Sequence, residues 1–423
     1  MGRIMRAHWL PACMIEEVAE PDGTPLRVRL LGEDMVVFRD TNGRVGALDE
    51  FCPHRRASLV FGRNEECGLR CLYHGWKFDV DGNAVDMSSE PIDAKLRSTM
   101  KTKAYPVEES GGFVWVWMGD PDNVTPFDPP NWAVAPNDKI SIVKMHGACN
   151  WAQVLEGSID SAHSSSLHSS NMPTATEVSG STATETAWLR PTADKAPRIE
   201  VQRTPFGFRY VAIRKPIVDA DSTDYIRMTL FVAPYTVHIP SNDQYHLSQM
   251  LVPVDDENVM FYWVAWHPEK GISQDAWRKF CGAEIGKDVE PITFKKTRTF
   301  ENNYLQDREA MKLGDFTGIY GIPAQDMAMW ESMGKIADRG DDRLGSSDKA
   351  IFTFRTLMYR AAQAVARGEP AIGTGTGIPH AKLMSFEGIV PKATDWRLLN
   401  VSDEEKSAGA KQNENVELDE SIA

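Results

Sequence analysis

Residues 52–77 read CPHRRASLVFGRNEECGLRCLYHGWK, and the fold of the first part of the chain can be predicted from these residues and their flanks. The stretch contains two short Cys/His pairs, Cys52-Pro-His54 and Cys71-Leu-Tyr-His74, with sixteen residues between them. Short strand-like runs and the hairpin dipeptides Asn-Gly and Asp-Gly flank the two pairs. The sequence therefore predicts an all-β module in which two loops each present one thiol and one imidazole.

The mixed composition of each pair suits a Rieske [2Fe–2S] centre, in which two cysteines hold one iron and two histidines hold the other. Structural zinc sites usually pair cysteine with cysteine and histidine with histidine, so a zinc module fits this pattern less well. We therefore predict that the cluster is held by Cys52, His54, Cys71 and His74. The remaining cysteines have no ligand-like neighbours and are predicted to be buried thiols without a metal role: Cys13, Cys67, Cys149 and Cys281.

A second group of candidate ligands follows in residues 150–168, which look helical. On a helix, Glu156, Asp160 and His163 would share one face, whereas His168 requires the helix to end or bulge. Two histidines and one carboxylate form the facial triad of Fe(II) oxygenases, which leaves positions open for O2. Alone, an HxxxxH spacing more often reflects solvated or core histidines. A one-electron carrier in the same chain favours an iron site that uses those electrons.

The order of strand-like and helical patterns predicts two domains. We expect residues 1–130 to form the all-β domain, because a proline-rich segment with little periodicity follows its last strand-like run. Residues 131–401 combine strand-like runs between residues 199 and 266 with helical patterns, which indicates a sheet packed with helices. Residues 402–423 are polar and are predicted to be a frayed tail. The fold class is therefore α+β.

Composition narrows the partners and the compartment. The formal net charge of -14 argues against nucleic acid and anionic membranes, which would repel the protein. The sequence contains no stretch of about 18 consecutive apolar residues, so no membrane span is predicted. The N-terminus lacks the apolar region of a signal peptide. Six cysteines in 423 residues are too sparse for a disulfide framework. We expect a cytoplasmic protein whose partners are small molecules and other proteins.

The spacing CxH…CxxH followed by DxxHxxxxH resembles the α subunit of Rieske ring-hydroxylating oxygenases. Within that group, the runs LGEDMVVFRD, RCLYHGWKFD, YIRMTLFVAP and AQDMAMWESMGKIADR resemble the phthalate dioxygenase branch. The likeness covers most of the chain. It implies an N-terminal Rieske [2Fe-2S] domain and a C-terminal helix-grip (START-like) domain that holds a mononuclear iron.

The resemblance also implies which residues hold that iron. His163 and His168 are two of the ligands, and the third comes from a late helix, where the run QDMAMWE places Asp326. Asp160 is the competing carboxylate. In the family, the aspartate before the first histidine connects to a Rieske histidine and does not bind iron, so Asp326 ranks first.

The family resemblance further implies an assembly and an electron donor. The link through Asp160 usually crosses between subunits, which implies a homotrimer or a hexamer of two stacked trimers. The chain lacks a glycine-rich dinucleotide fingerprint and a ferredoxin cysteine spacing. A separate flavin and iron-sulfur reductase must therefore deliver electrons from NAD(P)H. The run Gly373-Thr-Gly-Thr-Gly377 follows a helix rather than a strand and is predicted to be an ordinary loop.

The implied activity is the use of O2 and NAD(P)H-derived electrons to cis-dihydroxylate an aryl carboxylate such as phthalate or isophthalate. A carboxylate needs a cation in an otherwise apolar pocket, and arginine matches its geometry best. Arg227, in a strand-like run, is the first candidate and Arg190 is the second, although either could equally pair with a structural carboxylate. The alternatives are a Rieske monooxygenase that performs O-demethylation or diaryl ether cleavage, and a pure electron carrier without the second iron.

Overall fold

The computed structural model describes residues 1–91, 93–174, 190–240, 245–375 and 377–400. The predicted polar tail, residues 402–423, lies outside this described part. In residues 1–130 the regular structure is almost entirely β. The strands are β1 (Trp9–Met14), β2 (Leu26–Leu30), β3 (Glu33–Arg39), β4 (Val45–Asp49), β5 (Arg63–Glu65), β6 (Gly68–Arg70), β7 (Trp76–Phe78), β8 (Ala84–Met87), β9 (Ala104–Tyr105), β10 (Val107–Ser110) and β11 (Phe113–Trp117).

These strands form three small antiparallel sheets, ordered β2-β3-β4-β9, β5-β6-β7-β8 and β1-β11-β10. The two predicted hairpin dipeptides lie between β3 and β4 and between β7 and β8. Their glycines, Gly43 and Gly82, have φ values of 81° and 78°, a conformation that glycine adopts without strain. The all-β prediction for the first domain is confirmed.

The second part of the chain is built on one large antiparallel sheet with the path β12-β18-β17-β16-β15-β14-β13, and β19 pairs with the first half of β15. Its strands are β12 (Ile140–Gly147), β13 (Arg198–Thr204), β14 (Gly207–Arg214), β15 (Thr223–Val232), β16 (Thr236–Ile239), β17 (His246–Pro253), β18 (Val259–Trp266) and β19 (Phe386–Pro391). The helices are α1 (Gly2–Met5), α2 (Trp151–Ser158), α3 (Gln274–Cys281), α4 (Arg308–Lys312), α5 (Ile322–Ser332) and α6 (Lys349–Ala366).

Three of these helices, α2, α3 and α6, pack against this sheet, as the helix-grip expectation requires. Phe354 of α6 meets Phe231 of β15 edge-on, with ring centroids 5.2 Å apart, and Trp151 of α2 meets the same Phe354. The sheet and the β domain share one hydrophobic core, which includes Phe113 of β11 and Tyr262 of β18 in edge-to-face contact at 5.2 Å. The two domains are therefore packed against each other through a continuous apolar interior.

The prediction of a helix through residue 163 is wrong. α2 ends at Ser158, so Glu156 lies on the helix while Asp160 and His163 follow it in a turn and a short 3-10 segment, His163–Ser165. The run from residue 158 onward is rich in serine and contains Asp160, and such side chains compete for backbone partners. The Asp160 carboxylate accepts the Ala162 N–H at 2.7 Å, which replaces a helical hydrogen bond.

Two smaller expectations can also be compared with the structure. Cys13, Cys149 and Cys281 are buried, but Cys67 is partly exposed between β5 and β6, so its predicted burial is wrong. The described residues of the glycine-rich run 373–377 lie outside helices and strands, as predicted. Among the residues that the structure describes, no helix has the length and apolar character needed to cross a membrane.

Candidate metal centres

The first candidate centre lies at the tips of two loops of the β domain. Cys52 and His54 follow β4, and Cys71 and His74 connect β6 to β7. Both cysteines are buried above a small apolar core, whereas the two imidazoles lie nearer the surface, with ring centroids 4.3 Å apart. His54 also stacks on Trp76 at 4.3 Å. The four side chains thus present sulfur on the inner side and nitrogen on the outer side of one small space.

These residues fit a [2Fe–2S] cluster on chemical grounds. The Nδ1 atom of His54 is buried and has no hydrogen-bond partner among the described residues, which is costly unless the atom has another role, such as metal ligation. Burial, together with the neighbouring Cys71 thiol, raises the pKa of Cys52 to about 11. A bound metal replaces the thiol proton and removes this difficulty. Cys52, His54, Cys71 and His74 could therefore hold the cluster.

The second candidate centre lies in the large domain, where three ligand atoms converge. The Nε2 atoms of His163 and His168 are 3.2 Å apart, and Asp326 Oδ1 lies 3.5 Å and 3.0 Å from them, respectively. Three donors bound about 2.1 Å from one ion at right angles would be roughly 3.0 Å apart. Asp326 Oδ1 is buried and accepts no hydrogen bond from any residue that the structure describes. This geometry could hold one divalent ion and leave one side of it open.

A second layer of residues orients the two histidines. The Nδ1 atom of His163 lies 3.3 Å from Asp160 Oδ2, and the Nδ1 atom of His168 lies 2.7 Å from Gln325 Oε1. The Gln325 amide is itself held, since its Nε2 donates to Asn171 Oδ1 and to the Ile319 carbonyl. Because both Nδ1 atoms have partners, both Nε2 atoms are directed at the candidate ion.

Asp160 and His163 also influence each other electrostatically. Burial opposes ionisation of the Asp160 carboxyl, but the hydrogen bond and the charge of His163 lower its pKa below the ordinary value. Burial likewise opposes protonation of His163, but Asp160 and Asp326 raise its pKa. Asp160 is thus an ionised acceptor for His163. Glu156, which the sequence pattern put on the same helix face, instead pairs with Arg339 and Arg355 at 3.0 and 2.8 Å.

An inner cavity lies on the sheet side of His163, His168 and Asp326. Its walls combine apolar side chains with polar and charged ones, and Arg227 is among the charged residues. Arg227 Nη1 lies 3.3 Å from Glu387 of β19, and Nη2 donates to the Pro240 carbonyl at 2.7 Å. The other lining residues include Met172, Tyr210, Thr229, Ile239, Gln249, Trp263, Ile322 and Trp330.

Arg190 lies one layer behind this cavity. Its guanidinium donates to Ser165 Oγ at 2.9 Å and to the Ser164 carbonyl, and it touches Met172, which lines the cavity. Arg190 is buried, and it does not line the cavity itself. Arg227 therefore lines the cavity next to the candidate iron site, whereas Arg190 lies behind the residues that line it.

An outer groove of about 490 Å³ also borders two of these ligands, His163 and Asp326. Asp160, His163 and Asp326 line both spaces, and the groove adds Leu167, Phe316, Met329, Met333 and Leu344 as apolar walls. In the β domain, Leu72 and Tyr73 lie beside His74 with 61% and 55% of their surface exposed. An apolar groove next to Asp160 and an apolar tip next to His74 are therefore both accessible on one chain.

Sequence reasoning missed several residues of this site. Gln325 precedes Asp326 in the run AQDM, and this adjacency was the available signal. Gln249 is buried in β17 and lines the cavity, with no hydrogen-bond partner for its amide oxygen. Glu387 lies 160 residues from Arg227 along the chain. Nothing in the local pattern around Arg227 indicates that distant partner.

A β domain with a Cys2His2 cluster site, joined to a helix-grip domain with a two-histidine, one-carboxylate site, defines the class of two-centre iron oxygenases. Comparison with known proteins agrees. The profile of the Rieske [2Fe-2S] domain matches residues 8–99, and the profile described as LigXa C-terminal domain like matches residues 116–422.

Close relatives cover nearly the whole chain. The phthalate 4,5-dioxygenase oxygenase subunit of Pseudomonas putida is 54% identical over 94% of this chain and 90% of its own length. The 3-chlorobenzoate-3,4-dioxygenase oxygenase subunit of Comamonas testosteroni is 35% identical over 94% of this chain and 93% of its own length. The chain belongs to the Rieske non-haem iron oxygenases.

Solved structures agree with the fold. NdmB of Pseudomonas putida CBB5 is 17% identical, with a TM-score of 0.59 over 91% of this chain and 97% of that one. Dicamba monooxygenase bound to dicamba is also 17% identical, with a TM-score of 0.56 over 86% of this chain and 99% of that one. The chain is thus the oxygenase component of a Rieske dioxygenase system. Its cofactors are a [2Fe-2S] cluster and a mononuclear iron, and NAD(P)H acts through a separate reductase.

Proposed function

We propose that this oxygenase cis-dihydroxylates an aryl carboxylate such as phthalate or isophthalate. The observation that carries the proposal is Arg227, a partly buried cation in a cavity with polar and apolar walls that also contains His163, His168 and Asp326. A guanidinium in such a pocket matches a carboxylate and fixes its orientation. The names of the two curated relatives, which act on phthalate and on 3-chlorobenzoate, support the same substrate class.

The proposal assigns roles to particular residues. Cys52, His54, Cys71 and His74 hold the cluster, and His163, His168 and Asp326 hold the mononuclear iron. Residues 1–130 form the Rieske domain and residues 131–401 the catalytic domain. When bound, the two centres supply electrons and O2 activation. Arg227 binds the substrate carboxylate, and Arg190 reinforces it from the second layer. The apolar walls around Ile239 and Trp263 exclude water and orient the ring.

Asp160 is the proposed link between the two centres. Its carboxylate contacts Nδ1 of the iron ligand His163, and Asp160 also lines the outer groove. A second subunit bound in that groove could therefore contact Asp160. The exposed tip at Leu72 and Tyr73 has the apolar character to fill such a groove. A homotrimer, alone or stacked as a hexamer, would place the tip of one subunit in the groove of the next. The sparse, free cysteines support a reducing cytoplasmic location.

The decisive experiment couples the protein to a matching flavin and iron-sulfur reductase and follows NADH-dependent O2 consumption with phthalate, isophthalate, terephthalate and benzoate. We expect at least one dicarboxylate to be oxidised with tight coupling between O2 use and product. Labelled O2 should place two oxygen atoms in the product. A single labelled oxygen would instead support the O-demethylase or ether-cleaving alternative, and an absence of oxidation with all four acids would overturn the substrate class.

Arg227→Ala should weaken substrate binding while leaving both metals in place. A hydrogen bond to a charged group contributes about 1.5–3 kcal/mol, which corresponds to a roughly ten- to hundredfold increase in KM. A loosely held ring should also raise hydrogen peroxide release relative to the diol product. Arg227→Lys should recover little, because an ammonium cannot reproduce the bidentate geometry.

The control addresses Glu387, which the alanine variant would leave buried without its partner. Arg227→Ala combined with Glu387→Gln removes that unpaired carboxylate. Persistence of the raised KM in the double variant would support substrate binding. If KM and coupling returned to wild-type values, Arg227 would be a structural ion-pair residue.

Asp160→Asn should slow electron transfer from the cluster to the mononuclear iron without removing either metal. Asparagine keeps the size of the side chain but loses the charge that accepts from His163, so the hydrogen-bonded link is weakened. We expect the chemically reduced cluster to reoxidise about 10- to 100-fold more slowly on mixing with O2 and substrate, since changes to residues behind metal ligands have effects of this size. Stopped-flow absorption of the cluster measures this rate.

The matched control is Asp342→Asn, which changes a carboxylate of the same groove that pairs with Arg355 and does not contact His163. Its reoxidation rate should stay near that of the wild type. If Asp160→Asn lost the mononuclear iron and Asp326→Ala retained it, Asp160 would be the iron ligand and Asp326 would not.

A further inference from the structure

Three arginines lie close together behind and within the wall of the inner cavity. Arg214 of β14 is the cross-strand partner of Tyr225, and Arg227 of β15 is the partner of Ala212, so the two arginines are diagonal neighbours on one face of the sheet. Arg190 approaches the same region from the segment before β13. Arg190 and Arg214 are only 7% and 2% exposed. Three positive charges are therefore concentrated in an interior region.

The described residues do not neutralise these charges. Arg227 has Glu387 at 3.3 Å, but no described carboxylate lies within 4.0 Å of Arg190 or Arg214. Arg214 Nη2 donates to the Ser161 carbonyl at 2.6 Å, while its Nε and Nη1 have no hydrogen-bond partner among the described residues. The Nε of Arg190 likewise has no partner in the part of the chain that the structure describes. Asp194 acts on Arg214 electrostatically without forming an ion pair, so among the described residues Glu387 is the one carboxylate in ion-pair contact with these three guanidinium groups.

The excess positive charge affects the arginines themselves. Burial, followed by the charges of Arg227 and Arg214, lowers the pKa of Arg190 to about 10. Burial and Arg227 also lower the pKa of Arg214. Both groups remain protonated near neutral pH, so the repulsion is present in the ligand-free protein. A buried charge without a partner is costly, and a fold that keeps two of them is suited to receive an anion.

We propose that Arg214 is a specificity-determining residue that makes the cavity select a substrate with two carboxylates over one with a single carboxylate. This inference rests on the proposed aryl carboxylate function. Among the described residues, only Glu387 is in ion-pair contact with the three arginines, so a dianion compensates more of their positive charge than a monoanion does. Arg214 does not line the cavity, so it acts through space and through Ser161, which does.

The test compares phthalate with its monomethyl ester, which keeps the ring and the ortho arrangement but loses one charge. Calorimetry on the fully metallated wild-type protein without O2 should give tighter binding of phthalate than of the ester. Arg214→Met should reduce that preference by about tenfold, because one unit charge several ångströms away acts more strongly on a dianion than on a monoanion. Arg214→Lys, which keeps the charge, should retain most of the preference.

A purely structural role predicts a different pattern. If Arg214 only braces Ser161, the methionine variant should bind both ligands more weakly by the same factor, and the lysine variant should share the defect. The matched control is Arg209→Met on the same strand, which removes one positive charge from the opposite face of the sheet. Its preference for phthalate should equal that of the wild type.

If Arg214→Met folds poorly, the salt dependence of ligand binding by the wild type provides a second test. In the wild type, raising the salt concentration should leave the preference for phthalate over the ester largely intact, because buried charges are screened little. Equal affinity of the wild type for the two ligands would overturn the inference. Failure of the wild type to bind phthalate, the ester and benzoate alike would instead overturn the aryl carboxylate function, so the two failures are distinguishable.

Discussion

Asp326→Ala should yield a folded, cluster-containing protein that has lost its mononuclear iron and its oxygenase activity. Two imidazoles alone hold Fe(II) weakly, because the carboxylate supplies both a donor atom and a negative charge. The iron content should fall from about three to about two atoms per chain. Turnover should fall by more than about a hundredfold, since even changes behind metal ligands cost about 10- to 100-fold. Metal analysis and O2 uptake measure the two effects.

The cluster spectrum serves as the internal control for this variant. Visible absorption and the EPR spectrum of the reduced cluster should match those of the wild type, because Asp326 belongs to α5 and not to the β domain. Retention of the third iron, at wild-type affinity, would show that Asp326 is not a ligand. Chemical rescue of iron binding by added acetate would further support the loss of a carboxylate donor.

Cys71→Ser should abolish the Rieske cluster and with it all reductase-dependent turnover. The serine hydroxyl is a poor replacement for a thiolate ligand, and Cys71 lies in the buried part of the centre, where no solvent ligand is available. The variant should lack the visible and EPR spectra of a Rieske centre. Its mononuclear site should still bind iron, since that site lies in the other domain.

Cys67→Ser is the matched control, because it changes a partly exposed cysteine of the same β module at the turn between β5 and β6. This variant should keep the cluster and wild-type activity. An unchanged Rieske spectrum in Cys71→Ser, or its loss in Cys67→Ser, would contradict the ligand assignment.

Local patterns in the sequence were sufficient for much of the fold and for the cluster loops. The four cluster residues lie within 23 positions, and strand periodicity around them places both pairs on adjacent loops. The extent of α2 was harder to predict, because it depends on a local side-chain contact: the Asp160 carboxylate accepts the Ala162 N–H just beyond the end of the helix at Ser158. Propensity alone does not decide between these competing effects.

The second site depends on contacts that no local pattern reveals. Asp326 lies more than 150 residues beyond His168, and only the family resemblance singled it out from other acidic residues. Alternation along β15 puts Arg227 on the same face as Thr229, and both residues line the inner cavity. The same reasoning could not predict that Arg214 and Arg190 lack carboxylate partners among the described residues, because charge balance in a folded interior depends on which distant elements meet there.

The late position of β19 has a consequence for how the chain is made. Arg227 is translated 160 residues before Glu387, its ion-pair partner on the neighbouring strand. At ribosomal speeds of about 5–20 residues per second, that interval lasts roughly 8 to 30 s. Throughout it, the central sheet of the nascent polypeptide lacks one of its strands and one wall of the substrate cavity carries unopposed positive charge. Completion of this pocket therefore waits for the synthesis of β19.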